Sequence, residues 1–300
     1  MPSSPRPYRG RFAPSPTGPL HFGSLVAALG SYLDARQNKG TWLLRIEDLD
    51  PPREQPGASD LILKTLESYH LFWDEEVLYQ SQRQAIYEEH CQQLLANDTA
   101  FYCACSRSQL GGSGQVYPGY CRGYREAHKA DCAIRFMVNE EELCFQDQIQ
   151  GRHCQLLHSE VGDFVIKRKD QLYAYQLAVV CDDHLQGVTH VVRGIDLLDN
   201  TPRQIALYRA FAYPAPTYAH LPVIINSDGQ KLSKQNLAAP ISLKETRTTL
   251  LYALAALKLQ PPAELQTNSL DDILLWANNI WNKSALLNQR QSICPAQIPQ

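Results

Sequence analysis

The chain has 300 residues, 44% of them hydrophobic and 20% charged, with a formal net charge of −3. This is the composition of a globular protein with enough chain for a sizeable core, and no run of about 18 apolar residues is present to span a membrane. The slight acidity excludes a protein that grips nucleic acid by bulk positive charge, while leaving room for RNA held by a local patch.

The first residues, MPSSPRPYRGR, lack an apolar h-region and read as a flexible tail over 1–7, not as an export signal. Tyr8 to Ala13 is expected to be a strand ended by Pro14. Gly23 to Gln37 has helical spacing through Leu25, Ala28, Leu29 and Leu33, and Gly40 breaks it. Thr41 to Ile46 is a β-type run, followed by helical candidates over Ala58–Tyr69 and Arg83–Ala96. This β-α-β-α-α order predicts an α/β fold with a parallel sheet. From Phe101 to Gly187 short apolar pieces alternate with Gly, Pro and charged clusters, as in an insertion, with strands expected at Asp163–Arg168 and Tyr173–Val180. Thr189 to Gly194 resumes a buried strand, Pro202 to Ala212 a helix, Pro222 to Ile225 a strand and Asn226 to Gly229 a turn. The chain from Leu243 onward is expected to be helical, with Leu270 to Leu287 strongly patterned.

Nine cysteines invite a disulfide reading, but the count is odd and Cys91, Cys132, Cys144, Cys154, Cys181 and Cys294 are scattered. With no export signal, a reduced, cytoplasmic protein is expected. Only Cys103, Cys105 and Cys121 cluster, and three thiolates so spaced can hold zinc on a small knuckle or simply pack as buried thiols.

Two stretches carry possible chemistry. RFAPSPTGPLHFGSL, Arg11 to Leu25, joins a strand to a helix, where exposed N–H groups favour phosphates. His21 puts an imidazole at the helix mouth and Gly23 removes a side chain beside the backbone. On spacing alone the stretch fits a rigid connector equally well. KLSKQ, Lys231 to Gln235, puts two cations on a loop, which suits a triphosphate clamp or a solvated basic loop. Asp182-Asp183-His184 looks like a metal cluster, but adjacent side chains in a strand would face opposite ways, so a structural role is expected. Trp276 and Trp281 read as the packed face of a C-terminal helix.

Together these segments resemble the class I aminoacyl-tRNA synthetases. HFGS is similar to their HIGH signature, with Ser24 at the last position, and KLSKQ to their KMSKS signature. RIEDLDPPRE at Arg45–Glu54, LFWDE at Leu71–Glu75, VTHVVRGIDLLDNTPRQ at Val188–Gln204 and HLPVIINSDGQKLSK at His220–Lys234 point to the glutamyl branch. Only about sixty residues follow KLSKQ, so the chain most resembles the short paralogues of that branch, the glutamyl-Q tRNA(Asp) synthetases.

The resemblance implies a Rossmann-type catalytic domain over 8–240, interrupted by a zinc-containing subdomain at 101–187, and a helical region at 241–300 with no anticodon-binding domain. It implies ATP with Mg²⁺, L-glutamate and queuosine-containing tRNA(Asp) as partners, and a soluble monomer. His21, Lys231 and Lys234 are the implied catalytic residues, and His21, Gly23, Ser24 and Lys234 the ATP contacts. Arg11, Phe12, Ala13, Pro14, Ser15, Glu47, Tyr175 and Arg193 are implied for glutamate. One structural zinc is implied at Cys103, Cys105, Tyr117 and Cys121. Position 123 is Gly, where some full-length glutamyl enzymes have His. The alternatives are a minimal synthetase charging a tRNA 3′ end and a non-catalytic, synthetase-like RNA-binding protein.

Overall fold

The computed structural model describes residues 6–106, 108–110, 116–123, 132–225 and 240–293. Strand β1 (Arg9–Phe12), helix α1 (Phe22–Gln37) and strand β2 (Thr41–Ile46) come first, and the strands pair in parallel with Arg9 opposite Thr41. Helix α1 buries Leu25, Val26, Ala28, Leu29 and Leu33, the stripe that the sequence spacing marks. Its N-cap is His21, whose Nδ1 accepts the Ser24 N–H at 3.2 Å. Helix α2 (Ala58–Ser68), the two-residue strand β3 (Leu78–Tyr79) and helix α3 (Gln84–Ala96) follow, with β3 parallel to β2.

The stretch expected to be an insertion supplies β4 (Ala100–Cys103), β5 (Ala133–Phe136), β6 (Leu143–Asp147), β7 (Gly151–Gln155), the short α4 (Leu157–Glu160) and β8 (Phe164–Lys167). Strands β4, β5 and β8 make an antiparallel sheet of their own. Helix α5 (Tyr175–Leu185), β9 (His190–Gly194), α6 (Thr201–Ala210) and β10 (Thr217–Leu221) come next. Strand β10 runs parallel to both β9 and β6, and β7 closes that edge as the antiparallel partner of β6. The two parallel sheets meet at β1 and β9. There the Thr189 N–H donates to the Arg9 carbonyl at 2.9 Å, and the Arg9 N–H to Thr189 Oγ1 at 2.8 Å. The strand order β3-β2-β1-β9-β10 therefore reverses direction of growth at β1, the switch point where α/β proteins bind ligands.

The rest is β11 (Val223–Ile225), α7 (Thr246–Ala256), α8 (Leu270–Ile280) and β12 (Gln291–Ile293), which pairs with β11. Helix α8 stops seven residues short of the expected Leu287, and Lys283–Leu286 is a single 3₁₀ turn. Its packed face is the expected one at Ile273, Leu274 and Ala277, with Trp281 buried just beyond it, while Ile280 is exposed. Trp281 Nε1 and Lys283 Nζ both donate to the buried carboxylate of Asp34 on α1, as does Tyr8 Oη, so the C-terminal region is fastened to the first helix.

Two expectations need correction. Tyr173–Val180 is not a strand: α5 starts at Tyr175 and is buried on every face from Gln176 to Asp183, so no amphipathic period marks it as a helix. Cys144 and Cys154 are not isolated thiols. They oppose each other across the β6–β7 hairpin and form a disulfide, a pairing that their ten-residue separation conceals. The strand expected at Pro222–Ile225 is β11, and a further strand, β10, which carries His220, precedes it.

Asp182 and Asp183, neighbours on α5, hold different parts of the fold. Asp182 accepts from Gln80, Arg83 and Tyr87 at 2.6–2.7 Å, fixing the start of α3. Asp183 accepts from Arg11 Nε of β1 at 3.2 Å and from Arg45 Nη1 of β2 at 2.7 Å. All three of these side chains are at most 4% exposed. Removing one charge from a buried network leaves the others uncompensated, so Asp183→Asn should lower stability by about 3–5 kcal/mol. Urea unfolding measures this, and an unchanged midpoint would show that Arg11 and Arg45 tolerate each other without the carboxylate.

Candidate functional site

A cavity of about 650 Å³ opens beyond the carboxyl ends of β1, β2 and β9. The end of β1 and the chain leaving it contribute Arg11, Phe12, Ala13 and Ser15 to its wall, β2 is followed by Glu47, α5 begins with Tyr175, and Arg193 is the penultimate residue of β9. Seven of the eight residues expected to bind glutamate thus face one space. Pro14 does not line it, but its carbonyl accepts the Glu47 N–H at 3.0 Å and ties the two loops together.

The electrostatics follow from burial and pairing. Glu47 accepts from Arg45 Nη2 at 3.2 Å, yet its carboxyl sits above the usual range because burial outweighs the nearby Arg45 and Arg11 cations. Its charge is under-compensated, a state that an incoming ammonium group would relieve. Asp183 goes the other way: burial acts to raise it, and the combined pull of Arg11 and Arg45 holds it below the usual carboxylate range. Burial also raises the Tyr175 phenol, against the pull of Arg193.

Arg193 is the best-anchored cation at the cavity. Its Nε donates to His220 Nε2 at 3.0 Å, its Nη2 to Thr201 Oγ1 at 2.8 Å, and its Nη1 to Tyr175 Oη at 3.4 Å. A guanidinium with its back edge so engaged presents its remaining donors to the cavity, the geometry suited to a carboxylate.

Helix α1 points its N-terminus toward the same end of the sheet. Thr17 and Ala27 line the cavity, whereas His21, Gly23 and Ser24, which begin the helix, lie outside its wall. The His21 Nε2 is 3.0 Å from Ser24 Oγ. Lys231 and Lys234 fall outside the described residues. The described chain resumes at Pro240, which bridges to His21, and the Ile241 N–H donates to the Leu20 carbonyl at 3.2 Å.

A second group of functional side chains lies at the end of β4. The Sγ atoms of Cys103, Cys105 and Cys121 all lie within 4.8 Å of one another, with Cys105 and Cys121 3.5 Å apart. Tyr117 Oη is 3.6 Å from Cys103 Sγ and 3.9 Å from Cys105 Sγ, and it accepts the Cys121 N–H at 2.8 Å. Two sulfurs each about 2.3 Å from a tetrahedral zinc ion sit about 3.8 Å apart, so the spacing fits such an ion. Burial and the Cys121 contact push the Cys105 thiol up to about 11 in the metal-free group. Sulfurs crowded in this way are what a bound cation would draw together, displacing the Cys105 proton.

Reasoning from the sequence missed Arg45, Asp183, Thr201, Asp147 and His220. Arg45 stands in the same RIEDLD segment as Glu47, which was a usable signal. Asp183 gives no signal of its own while the segment before it reads as a strand. Asp147 and His220 are 73 positions apart and meet only through the β6–β10 pairing.

The chain matches the family model of tRNA synthetases class I (E and Q), catalytic domain, over residues 8–115 and 122–255. It is 51% identical over 291 residues to the glutamyl-Q tRNA(Asp) synthetase of Ectopseudomonas mendocina, covering 97% of this chain and 98% of that one. It is 50% identical over 298 residues to the glutamyl-Q tRNA(Asp) synthetase of Chromobacterium violaceum, covering 97% and 98%. Among solved structures it resembles a glutamate tRNA ligase from Elizabethkingia meningosepticum in complex with its amino acid. The TM-score is 0.83 at 26% identity, over 97% of this chain and 68% of that one. With an α/β fold, a parallel sheet that reverses at β1 and a charged cavity at that switch point, the chain belongs to the class I tRNA synthetases of the E and Q type, within the glutamyl-Q tRNA(Asp) synthetase family.

Proposed function

We propose that the protein is a ligase that activates L-glutamate with ATP and transfers it to the queuosine base of tRNA(Asp). The observation that carries this reading is the cavity wall, which brings buried Arg11 and Arg193 together with half-buried Glu47 and Tyr175 around one space. Arg193, with Tyr175, would take the side-chain carboxylate of glutamate. Glu47 would take the α-ammonium, and Arg11 and Ser15 would hold the α-carboxylate region.

In the first step an α-carboxylate oxygen attacks the α-phosphorus of ATP in line. The bond to the bridging oxygen breaks, pyrophosphate leaves, and glutamyl-adenylate remains. In the second, a hydroxyl of the queuosine cyclopentenediol attacks the activated carbonyl, losing its proton as AMP departs. No enzyme nucleophile is needed: the protein positions the reactants and meets developing charge. His21, at the N-terminus of α1, and Lys231 and Lys234 would meet the phosphates, with Gly23 and Ser24 beside the nucleotide. The pairing of Pro240 with His21 supports a common site for these residues, because the KLSKQ segment lies a few residues before Pro240. Mg²⁺ enters with ATP and offsets the charge of its phosphates.

Cys103, Cys105, Cys121 and Tyr117 would hold one structural zinc ion. The Tyr117 hydroxyl oxygen, beside the three sulfurs and already accepting the Cys121 N–H, supports the fourth position. We further assign the protein to the cytoplasm, acting as a monomer on the anticodon stem-loop that carries the acceptor base.

Glutamate-dependent ATP–pyrophosphate exchange without tRNA tests the first step. Activity is expected in the wild type, and its absence would favour a non-catalytic RNA-binding protein. His21→Ala should slow exchange by about 100-fold while leaving the glutamate KM within about threefold. An unchanged rate would reduce His21 to a helix cap. Labelled glutamate should attach to queuosine-containing tRNA(Asp) and not to the queuosine-free transcript. Equal labelling of both would point to charging of a 3′ end. Atomic absorption should find zinc bound to the purified chain and lost in Cys105→Ser, whereas zinc retained in that variant would remove Cys105 from the ligand set.

A further inference from the structure

Arg193 is the cation to which the proposed function assigns the glutamate side chain, and the inference that follows rests on that assignment. Beneath it lies a buried pair that no part of the reaction uses directly. His220 and Asp147 have fully buried side chains, and His220 Nδ1 is 2.6 Å from Asp147 Oδ2. Neither lines the cavity.

The chemistry of the partners fixes the protons. Arginine only donates hydrogen bonds, so the 3.0 Å contact from Arg193 Nε to His220 Nε2 requires an unprotonated Nε2. The neutral ring then carries its proton on Nδ1 and donates it to Asp147. The other Asp147 oxygen, Oδ1, is already committed: it accepts the N–H groups of Ile149 at 2.9 Å, Gln150 at 2.8 Å and His220 at 3.1 Å. Asp147 is thereby locked in place at the end of β6, and the ring above it has one orientation. Burial holds the imidazole down at about 4, with the Asp147 bond pulling it up and the Arg193 charge pushing it further down, so it stays neutral under ordinary conditions. Thr201 Oγ1 completes the cradle, 2.8 Å from Arg193 Nη2 and 3.2 Å from His220 Nε2.

We infer that Asp147 and His220 are positioning residues for glutamate recognition. Asp147 sets the tautomer of His220, and His220 sets the plane of the Arg193 guanidinium, so that Nη1 stands beside Tyr175 at the cavity.

The near-isosteric variant Asp147→Asn gives the sharpest test. Its Oδ1 keeps the three backbone N–H groups, and its Nδ2 then faces His220 Nδ1 as a donor. The ring proton moves to Nε2, where it confronts the Arg193 Nε–H donor to donor. Such a tautomer switch should raise the glutamate KM in ATP–pyrophosphate exchange by at least about tenfold, with the ATP KM and the rate at saturating glutamate within about threefold of wild type. His220→Leu removes the acceptor and should behave alike. His220→Gln supplies an amide oxygen to Arg193 Nε and should restore the glutamate KM to within about threefold of wild type.

Arg193→Lys separates the two levels of the argument. If it leaves the glutamate KM unchanged, the assignment of Arg193 fails and this inference falls with it. If it raises the KM while folded Asp147→Asn and His220→Leu do not, the tautomer lock alone is overturned. Should those variants fail to fold, ¹⁵N NMR of histidine-labelled wild type decides, with His220→Gln identifying the signal. A proton on Nδ1 supports the inference, and a proton on Nε2 or a doubly protonated ring overturns it.

Discussion

The carboxylate of Asp183, held between the guanidinium groups of Arg11 and Arg45, is the constraint on which the rest of the site depends. Two buried cations on adjacent parallel strands repel each other, and in a medium that screens little this repulsion would prise β1 from β2. Asp183 comes from α5, a separate element far along the chain, so the packing of that helix supplies the charge that offsets the facing guanidinium groups. The docked helix brings Tyr175 with it, because Tyr175 is its first residue. Closing the charge network and building the cavity are therefore one event. The fold places Arg11, Glu47 and Tyr175 around a common space as a consequence of neutralising Arg11 and Arg45.

The same logic explains which parts of the molecule the sequence discloses. Helix α1 and strand β2 are legible almost to the residue, since each follows a pattern with a single solution: a one-sided apolar stripe broken by Gly40, and a six-residue β-type run whose one charge is Arg45. The cavity residues on β1 and β9 are legible because short segments around them resemble a known family. Helix α5 is opaque for a physical reason. It is buried all round, so it lacks the amphipathic period by which a helix announces itself, and Tyr173, Tyr175, Leu177 and Val179 alternate as in a strand. Misreading it hides Asp183. His220 and Asp147 are hidden more deeply, because their meeting depends on the register of β6 against β10, which no local pattern encodes.

Arg193 and Arg11 stand on neighbouring strands at the switch point and are held by different means. Arg11 is fixed by an opposite charge, which gives a strong and short-ranged restraint. Arg193 is fixed by a neutral ring, a hydroxyl and a phenol, with the nearest carboxylate one imidazole away. This difference matters for binding. A cation already paired with a carboxylate draws a second one less strongly, whereas one held by neutral acceptors keeps its full attraction for an incoming carboxylate. Asp147 still offsets the cost of burying Arg193, but through His220 and from the far side.

Such a site is assembled before substrate arrives, and that decides what glutamate binding can accomplish. Groups whose orientation is set by folding need not reorganise when a ligand enters, so binding energy is not consumed in arranging them. The buried charges at Arg11, Arg45, Glu47 and Asp183 are costly to fold, and a core of apolar residues would be more stable in their place. Glu47 shows where that cost is left unresolved. Its carboxyl remains above the usual range despite two neighbouring cations, and in the proposed reading a ligand would set its ammonium group there and a carboxylate at Arg193. A ligand that satisfies both ends must span the cavity with opposite charges at a fixed separation. Selection for an amino acid with an acidic side chain would then follow from two groups that folding has already oriented.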